Sequence, residues 1–140
     1  MTLFLAFFDA RTGELQFSSA GHNPPYRIRR DAAATVDSAP ALAIGIRAET
    51  SYGNCVLQLG KGETLFLYTD GVTEAMNAGG ELYSETGLTA ALNRFRDLAP
   101  EALCREVLRD IELFVGQREQ SDDITVLALR FVGSPEKAGA

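Results

Sequence analysis

Apolar residues change their spacing at Ser84, and this change most constrains what the chain can fold into. Before Ser84 they form short extended runs separated by Gly, Asp and Pro, a pattern typical of strands joined by tight turns. After it they recur at helical spacing up to Phe95, and a second helix is predicted from Pro100 to about Gly116. An apolar run over 124–131 predicts a closing strand that is buried. This order predicts an α+β domain with antiparallel sheets and helices packed outside them.

The extended runs predict individual strands. Residues 2–8 (TLFLAFF) are apolar throughout except for one threonine, which predicts a strand buried on both faces. ELQFSSA follows the turn residues Asp9 and Gly13 and predicts the hairpin partner of that strand. The segment GHNPP (21–25) interrupts the pattern, because proline cannot donate to a ladder; YRIRR resumes it, and 31–50 is predicted to be mostly loop. NCVLQL and TLFLYT, separated by the turn sequence GKGE, predict a second hairpin.

The composition limits the classes of partner. The chain has 13 Lys and Arg against 19 Asp and Glu, and its net charge of −6 repels nucleic-acid phosphates, so we expect no nucleic-acid partner. No apolar stretch is long enough to cross a bilayer, and the N-terminus lacks the layout of a signal peptide, so we expect no membrane insertion and a cytoplasmic location. Cys55 and Cys104 match no CxxC pattern and are expected to be free thiols.

The length of 140 residues fits one domain with its own core. We expect residues 1–133 to form this domain and residues 134–140 to be a flexible tail. The sequence has one histidine, His22, so it has no His-rich zinc site, and a Ser-His-Asp triad would have to use that residue.

The stretch LFLYTDGVTEAMN (65–77) ends a strand-like run on an acid and a glycine. Asp70 should project from the strand end, and Gly71 allows a sharp turn or a close approach to a ligand. If the next residues coil helically, Glu74 lies on the same face as Asp70. Two interpretations are open: acids that stabilise a helix N-terminus, or carboxylates that hold a metal ion.

A second acidic pair, Asp122 and Asp123, stands directly before the last strand. Adjacent like charges repel each other unless solvent or a cation screens them, so a solvated turn and a cation site are both compatible with the pair. Together with Asp70, the pair puts acids at two strand ends. Oxygen ligands without His or Cys suit hard cations such as Mg²⁺ or Mn²⁺, which catalyse phosphoryl chemistry.

Three motifs, AGHNPP, LYTDGVTEA and SDDITVLALR, occur in an order and spacing that resembles the metal-dependent protein phosphatases related to protein phosphatase 2C, in particular the bacterial SpoIIE/RsbU-like branch. The resemblance runs from about residue 2 to residue 131. It implies a sandwich of two antiparallel β-sheets flanked by helices, with two Mn²⁺ or Mg²⁺ ions at one edge. It also implies hydrolysis of phosphoserine or phosphothreonine on a regulatory protein, typically an anti-anti-sigma factor, by metal-activated water and without a phosphoenzyme.

The resemblance also implies roles for the acidic residues. Asp70 matches the second metal aspartate of the family and Asp122 the last one, and both are therefore predicted to be catalytic metal ligands. Asp123 takes the neighbouring position, Glu74 an acidic position that serves an accessory ion, and Gly71 accompanies Asp70 in the metal motif.

The AGHNPP motif implies substrate contacts from His22 and Asn23. A role for His22 that is limited to hydrogen-bonding its own loop is the alternative.

One departure from the family bears on activity. The family's first metal motif, whose aspartate bridges both ions, precedes the strand that matches TLFLAFF, and here only Met1 precedes that strand. We therefore expect the C-terminal part of a phosphatase domain without its N-terminal strands and helices, which follows a sensor or receiver domain in the parent protein. For the isolated chain we expect little metal binding or activity and possible homodimers through sheet edges. The alternative function is an inactive phosphatase-fold module that binds a signalling partner.

Overall fold

The computed structural model describes residues 1–38, 41–117 and 122–134. The chain divides into two compact units: Met1–His22, Asp37–Glu63 and the chain from Arg130 form the first, and Asn23–Val36 with Thr64–Leu129 the second. The described residues contain β1 (Leu3–Asp9), β2 (Glu14–Ala20), β3 (Tyr26–Ile28), β4 (Ala33–Thr35), β5 (Cys55–Gln58), β6 (Thr64–Tyr68), α1 (Asp70–Thr73), α2 (Ser84–Phe95), α3 (Pro100–Val115) and β7 (Val126–Arg130).

The first unit contains an antiparallel sheet in the order β1-β2-β5. The predicted hairpin of β1 and β2 is confirmed, and its turn is held by the Gly13 amide, which donates to the Asp9 carbonyl oxygen at 2.8 Å. The Asp9 carboxylate accepts hydrogen bonds from the side chain and the backbone amide of Arg11, and these bonds lower the pKa of Asp9. Leu15 and Phe17 of β2 are buried, as the alternation of that strand predicts.

The prediction that both faces of β1 are buried is wrong. Leu3, Leu5 and Phe7 are 43%, 53% and 74% exposed. They share one face of the sheet with Val56 of β5, which is 63% exposed. β1 is an edge strand in the described part of the chain, and no described residue covers this apolar face.

The predicted second hairpin is also wrong. β5 pairs with β2 in the first sheet, with Leu57 opposite Leu15, whereas β6 pairs with β3 in the second, with Phe66 opposite Tyr26. Both segments are strands, as predicted. Their partners are distant in sequence because each strand places its apolar side chains on a different buried surface.

The second unit contains a sheet in the order β4-β3-β6-β7. β4 lies in the segment that was predicted to be mostly loop, because a run of only three residues in an Ala-rich stretch gave no periodic signal. It is held by antiparallel pairing with β3, in which Thr35 lies opposite Tyr26 and Ala33 opposite Ile28. β6 is buried apart from the half-buried Leu67, while β7 is only partly buried, with Leu127 exposed, contrary to its prediction as a buried strand.

Helices α2 and α3 form where the apolar spacing predicts them, and α3 begins at Pro100 and ends before Gly116. Both pack into the core of the second unit through fully buried residues. On α2 these include Leu88 and Leu92, and on α3 they include Leu103, Val107 and Ile111. The Tyr83 hydroxyl, just before α2, donates to the Asp110 carboxylate on α3 at 2.6 Å, which links the two helices.

Three remaining predictions concern the chain as a whole. Both cysteines are free thiols, as predicted. Within the described ranges no helix has the length and apolar character needed to cross a membrane. Of the predicted tail, residues 135–140 lie outside the described residues.

Candidate functional site

Asp70 stands where a buried strand leaves the core of the second unit. Four of the five residues of β6 are buried. Thr69 is extended (φ −85°, ψ 159°), and the chain then coils into the single turn of α1, which begins at Asp70. The strand is anchored by its apolar side chains, so the exposed Asp70 carboxylate has a rigid support.

Thr69 ties this strand end to the start of β7. Its amide donates to the Thr125 carbonyl oxygen at 3.0 Å. Its hydroxyl donates to the Asp123 carbonyl oxygen at 3.1 Å and accepts from the Thr125 amide at 2.9 Å. These three bonds place the segment 122–125 beside the Asp70 strand end.

Gly71 permits this close approach. A β-carbon at residue 71 would lie 2.5 Å from the Asp123 carbonyl oxygen and 3.4 Å from that of Asp122. Any side chain at this position would push the two acidic segments apart. Packing therefore requires the glycine of the TDG sequence. Its backbone conformation does not, because its φ is one that other residues also adopt.

The local hydrogen bonds of Asp70 resemble those of a helix start. Its carboxylate accepts the Gly71 amide at 3.1 Å, and its carbonyl oxygen accepts the Glu74 amide at 2.9 Å and the Thr73 hydroxyl at 3.1 Å. Glu74 is exposed and follows α1 by one residue, one helical turn after Asp70. Capping and metal binding are compatible, since a carboxylate oxygen accepts more than one interaction.

Asp122 and Asp123 are both exposed at the start of the β7 segment. The Asp122 carboxylate accepts the amide of Asp123 at 2.7 Å, which holds the side chain of Asp122 against its own backbone. The sequence separation between Asp70 and Asp122 is closed by the pairing of β6 and β7.

The carboxylate groups at these strand ends are chemically suited to a hard divalent cation, but they are few. Carboxylate oxygens at two adjacent strand ends are ligands of the kind that Mg²⁺ and Mn²⁺ prefer. Among the described residues, however, no three His, Cys, Asp or Glu side chains group closely enough to hold an ion. The chain thus offers Asp70 and Asp122, with Asp123 and Glu74 nearby in sequence, as part of a ligand set. Their roles as ligands remain predictions.

His22 and Asn23 lie in the connection between β2 and β3. The His22 ring is half-buried against the Phe4 ring, with centroids 5.9 Å apart, and its carbonyl oxygen accepts the Ser19 hydroxyl at 3.3 Å. These contacts give His22 a role in holding its loop. The substrate contacts predicted for the two residues stay predictions.

Cys104 of α3 and Tyr68 of β6 are poor candidates for nucleophilic or acid–base work. Burial raises the pKa of the Cys104 thiol, which keeps it protonated at neutral pH. Burial also raises the pKa of the Tyr68 hydroxyl, one residue before Thr69. Both side chains contribute to the core of the second unit.

Sequence reasoning missed Thr69 and Thr125, whose backbone and hydroxyl groups join the two acidic segments. A signal exists for Thr69, which stands directly before Asp70 in YTDG. A hydroxyl at a strand end commonly bonds to a neighbouring backbone group, and that tendency predicts the role of Thr69. Thr125 joins the segments through its backbone amide and carbonyl, which its side chain does not signal.

Comparison with known proteins identifies the family of this chain. The family model of Stage II sporulation protein E (SpoIIE) matches residues 1–132. The chain is 28% identical over 131 residues to Protein IcfG of Synechocystis. Its structure is similar to the RsbU and RsbW domains of Rv1364c from Mycobacterium tuberculosis, with a TM-score of 0.78 and 28% identity over 96% of this chain and 37% of that one. It is also similar to the manganese-presoaked SpoIIE phosphatase domain from Bacillus subtilis, with a TM-score of 0.72 and 19% identity over 97% of this chain.

The chain spans only part of these proteins. The match to IcfG covers 91% of this chain but only 20% of IcfG. The match to the solved SpoIIE phosphatase domain covers 59% of that domain's chain. The fold, two antiparallel sheets with helices, is thus that of part of a protein phosphatase 2C-like domain, as the sequence predicts.

Proposed function

Because the chain belongs to the Stage II sporulation protein E (SpoIIE) family, we propose that it is part of a phosphatase domain that hydrolyses phosphoserine or phosphothreonine on a regulatory protein. The proposed cofactors are Mn²⁺ or Mg²⁺ ions, two in the complete domain. The proposed setting is cytoplasmic signalling, with a partner of the anti-anti-sigma type and a sensor or receiver domain preceding the phosphatase in the parent protein.

One observation carries this proposal: the packing of the Asp70 strand end on the segment that begins with Asp122. Three hydrogen bonds of Thr69 and the close approach at Gly71 hold the two segments together. A turn that only capped a helix would not require a second acidic segment beside it. A site for a divalent cation does, because the ion needs several oxygen ligands.

The residues of this chain would act by holding and orienting groups. Asp70 and Asp122 would position a divalent ion, which when bound activates water and neutralises phosphate charge. In the reaction the water oxygen bonds to phosphorus while the bond from phosphorus to the serine oxygen breaks. The departing serine oxygen takes up a proton that the attacking water gives up, and inorganic phosphate leaves. Asp123 and Glu74 add negative potential at the rim and attract the cation.

A second candidate function is a binding module of the same fold without turnover. It is favoured by the absence, among the described residues, of a third ligand group at the site. Such a module would dock a signalling partner and would not respond to divalent ions.

The test uses the Asp70→Asn and Asp122→Asn variants in the parent protein that carries the complete domain. We expect each variant to lose manganese-dependent hydrolysis of a phosphoserine peptide, because an amide replaces a charged ligand of similar shape. Asp97→Asn, which changes an exposed acid between α2 and α3, is the matched control and should retain full activity.

Calorimetric titration of Mn²⁺ into the parent protein provides the second readout. Both variants should bind the ion more weakly than the control. Full turnover by either variant at saturating Mn²⁺ would contradict the catalytic assignment. A wild-type parent that neither binds Mn²⁺ nor hydrolyses the peptide would favour the binding module.

A further inference from the structure

An open groove of about 600 Å³ lies between strand β4 and helix α2 in the second unit. Its walls come from the edge strand on one side and from the first half of the helix on the other. The residues that matter for its chemistry are Ala33, Ala34, Thr35, Glu85, Thr86 and Ala90. None of them is among the predicted metal or substrate positions.

The backbone of β4 presents hydrogen-bonding groups to this groove. The Val36 amide donates to the Pro25 carbonyl oxygen at 2.7 Å, and the Arg29 amide donates to that of Ala32 at 2.9 Å. In an antiparallel ladder the bonded positions alternate, so the amide and carbonyl groups of Ala33 and Thr35 point away from β3. β4 is the edge of its sheet within the described ranges, so no described strand pairs with these groups.

One end of this edge is closed and the other is open. The Ala33 amide donates to the Asn93 side-chain oxygen at 3.0 Å, and the Asn93 side-chain nitrogen donates to the Thr89 carbonyl oxygen at 2.8 Å. Asn93 thus protects the edge at Ala33. The Ala33 carbonyl and both backbone groups of Thr35 are left facing the groove, and this is the arrangement to which a short added strand can pair.

The side chains of the groove set the kind of segment that fits. Ala34 and Ala90 are exposed and small, so the space between strand and helix is wide enough for a polypeptide. The Tyr26 hydroxyl on the floor is already bonded to the Thr89 hydroxyl at 2.8 Å. The charged residue of the lining is Glu85, which is exposed at the rim and favours a basic side chain.

We propose that this groove binds an extended segment of a partner protein, which adds a strand to β4 at Thr35 and carries a basic side chain opposite Glu85. A strand rises about 3.3 Å per residue, so the three residues of β4 seat about three to four residues of the segment. Backbone bonds to the edge supply affinity, and the small helix residues and Glu85 supply selectivity. This docking site is independent of phosphatase turnover.

The test is a titration of the isotope-labelled 140-residue chain with blocked five-residue peptides, followed by amide chemical shifts. The probes are Val-Thr-Lys-Val-Thr, the same peptide with Glu in place of Lys, and the Lys peptide with an N-methylated central residue. We expect the Lys peptide to shift amides of Thr35, Thr86 and Ala90. The Glu peptide should bind about two- to fivefold more weakly, the range of an exposed charge pair. N-methylation should abolish binding because it removes a strand hydrogen bond.

Two variants refine the test. Glu85→Lys should reverse the preference between the Lys and Glu peptides, whereas Glu112→Lys, the same change at an exposed position of α3, should not. Ala90→Arg should block the groove while its amide spectrum stays that of a folded chain. Absence of shifts at millimolar peptide, or shifts confined to β1 and β2, would overturn the proposal, as would equal binding of the N-methylated peptide.

Discussion

Gly71 lies directly against the backbone of Asp123: a β-carbon on Gly71 would stand 2.5 Å from the Asp123 carbonyl oxygen. The atom in the way belongs to the backbone, so it cannot rotate aside as a side chain would. The contact brings together the two acidic segments of the candidate site, which are far apart in sequence.

Gly71→Ala should therefore destabilise the chain by about 1–3 kcal/mol, the usual cost of overpacking a close contact. The higher helix propensity of Ala, about 1 kcal/mol, opposes this effect but does not remove the clash. The measurement is the urea midpoint. Gly79→Ala is the control, because its nearest atom is the end of the Asn77 side chain, at 3.3 Å. An unchanged midpoint for Gly71→Ala would show that the two segments do not approach as closely as described.

Thr69→Val should loosen the same junction. It removes the hydroxyl that donates to the Asp123 carbonyl oxygen and accepts from the Thr125 amide. The loss should be about 1–2 kcal/mol of unfolding free energy for the two bonds, less than their sum because both groups are near solvent. Thr69→Ser retains the hydroxyl and should keep most of the unfolding free energy that Thr69→Val loses. If Ser and Val behaved alike in urea unfolding, the hydroxyl would have no structural role.

The stability of the second unit should fall in alkaline solution because of its buried tyrosines. Burial raises the pKa of Tyr26, Tyr68 and Tyr83 in the folded chain. Below the ordinary tyrosine pKa of about 10 both states are protonated and stability is complete. Above it the unfolded chain ionises first, so the unfolding free energy declines by about 1.4 kcal/mol per pH unit for each such tyrosine until the folded group ionises.

Urea unfolding measured across this pH range checks the slope. Tyr83→Phe should lower stability at neutral pH by about 1.5–3 kcal/mol, because its hydroxyl bonds the Asp110 carboxylate. The same variant should make the alkaline slope shallower, since one titrating group is gone. A slope equal to that of the unmodified chain would mean that Tyr83 does not contribute to the pH dependence.

The exposed apolar face of β1 should make the isolated chain self-associate. Leu3, Leu5 and Phe7 lie on β1, whose outer edge pairs with no described strand and which contains no Lys or Pro, a pattern that favours pairing with another chain. Leu5→Lys with Phe7→Lys should convert dimers or larger species to monomers in sedimentation velocity. Leu113→Lys is the control, at a position of α3 that is 73% exposed. It should leave the association unchanged. A monomeric unmodified chain would contradict the expectation of homodimers.

The sequence by itself determined the elements and the candidate residues. Continuous or alternating apolar runs and the GHNPP break located β1, β2, β3 and β6, and helical spacing with Pro100 and Gly116 located α2 and α3, because these signals depend on neighbours along the chain. The motif containing Asp70 and Gly71 likewise identified the strand end and the family.

Tertiary structure alone decided which strands pair and which surfaces are covered. β5 joins β2 and β6 joins β3, and β4 is a strand because β3 lies beside it. No local signal encodes these partners, since pairing depends on which distant apolar face each strand can bury. Burial also depends on distant residues, so Phe7 is exposed although its apolar run predicts a buried strand. The bonds of Thr69 to Asp123 and Thr125 likewise join segments that are far apart in sequence, and only the folded chain shows them.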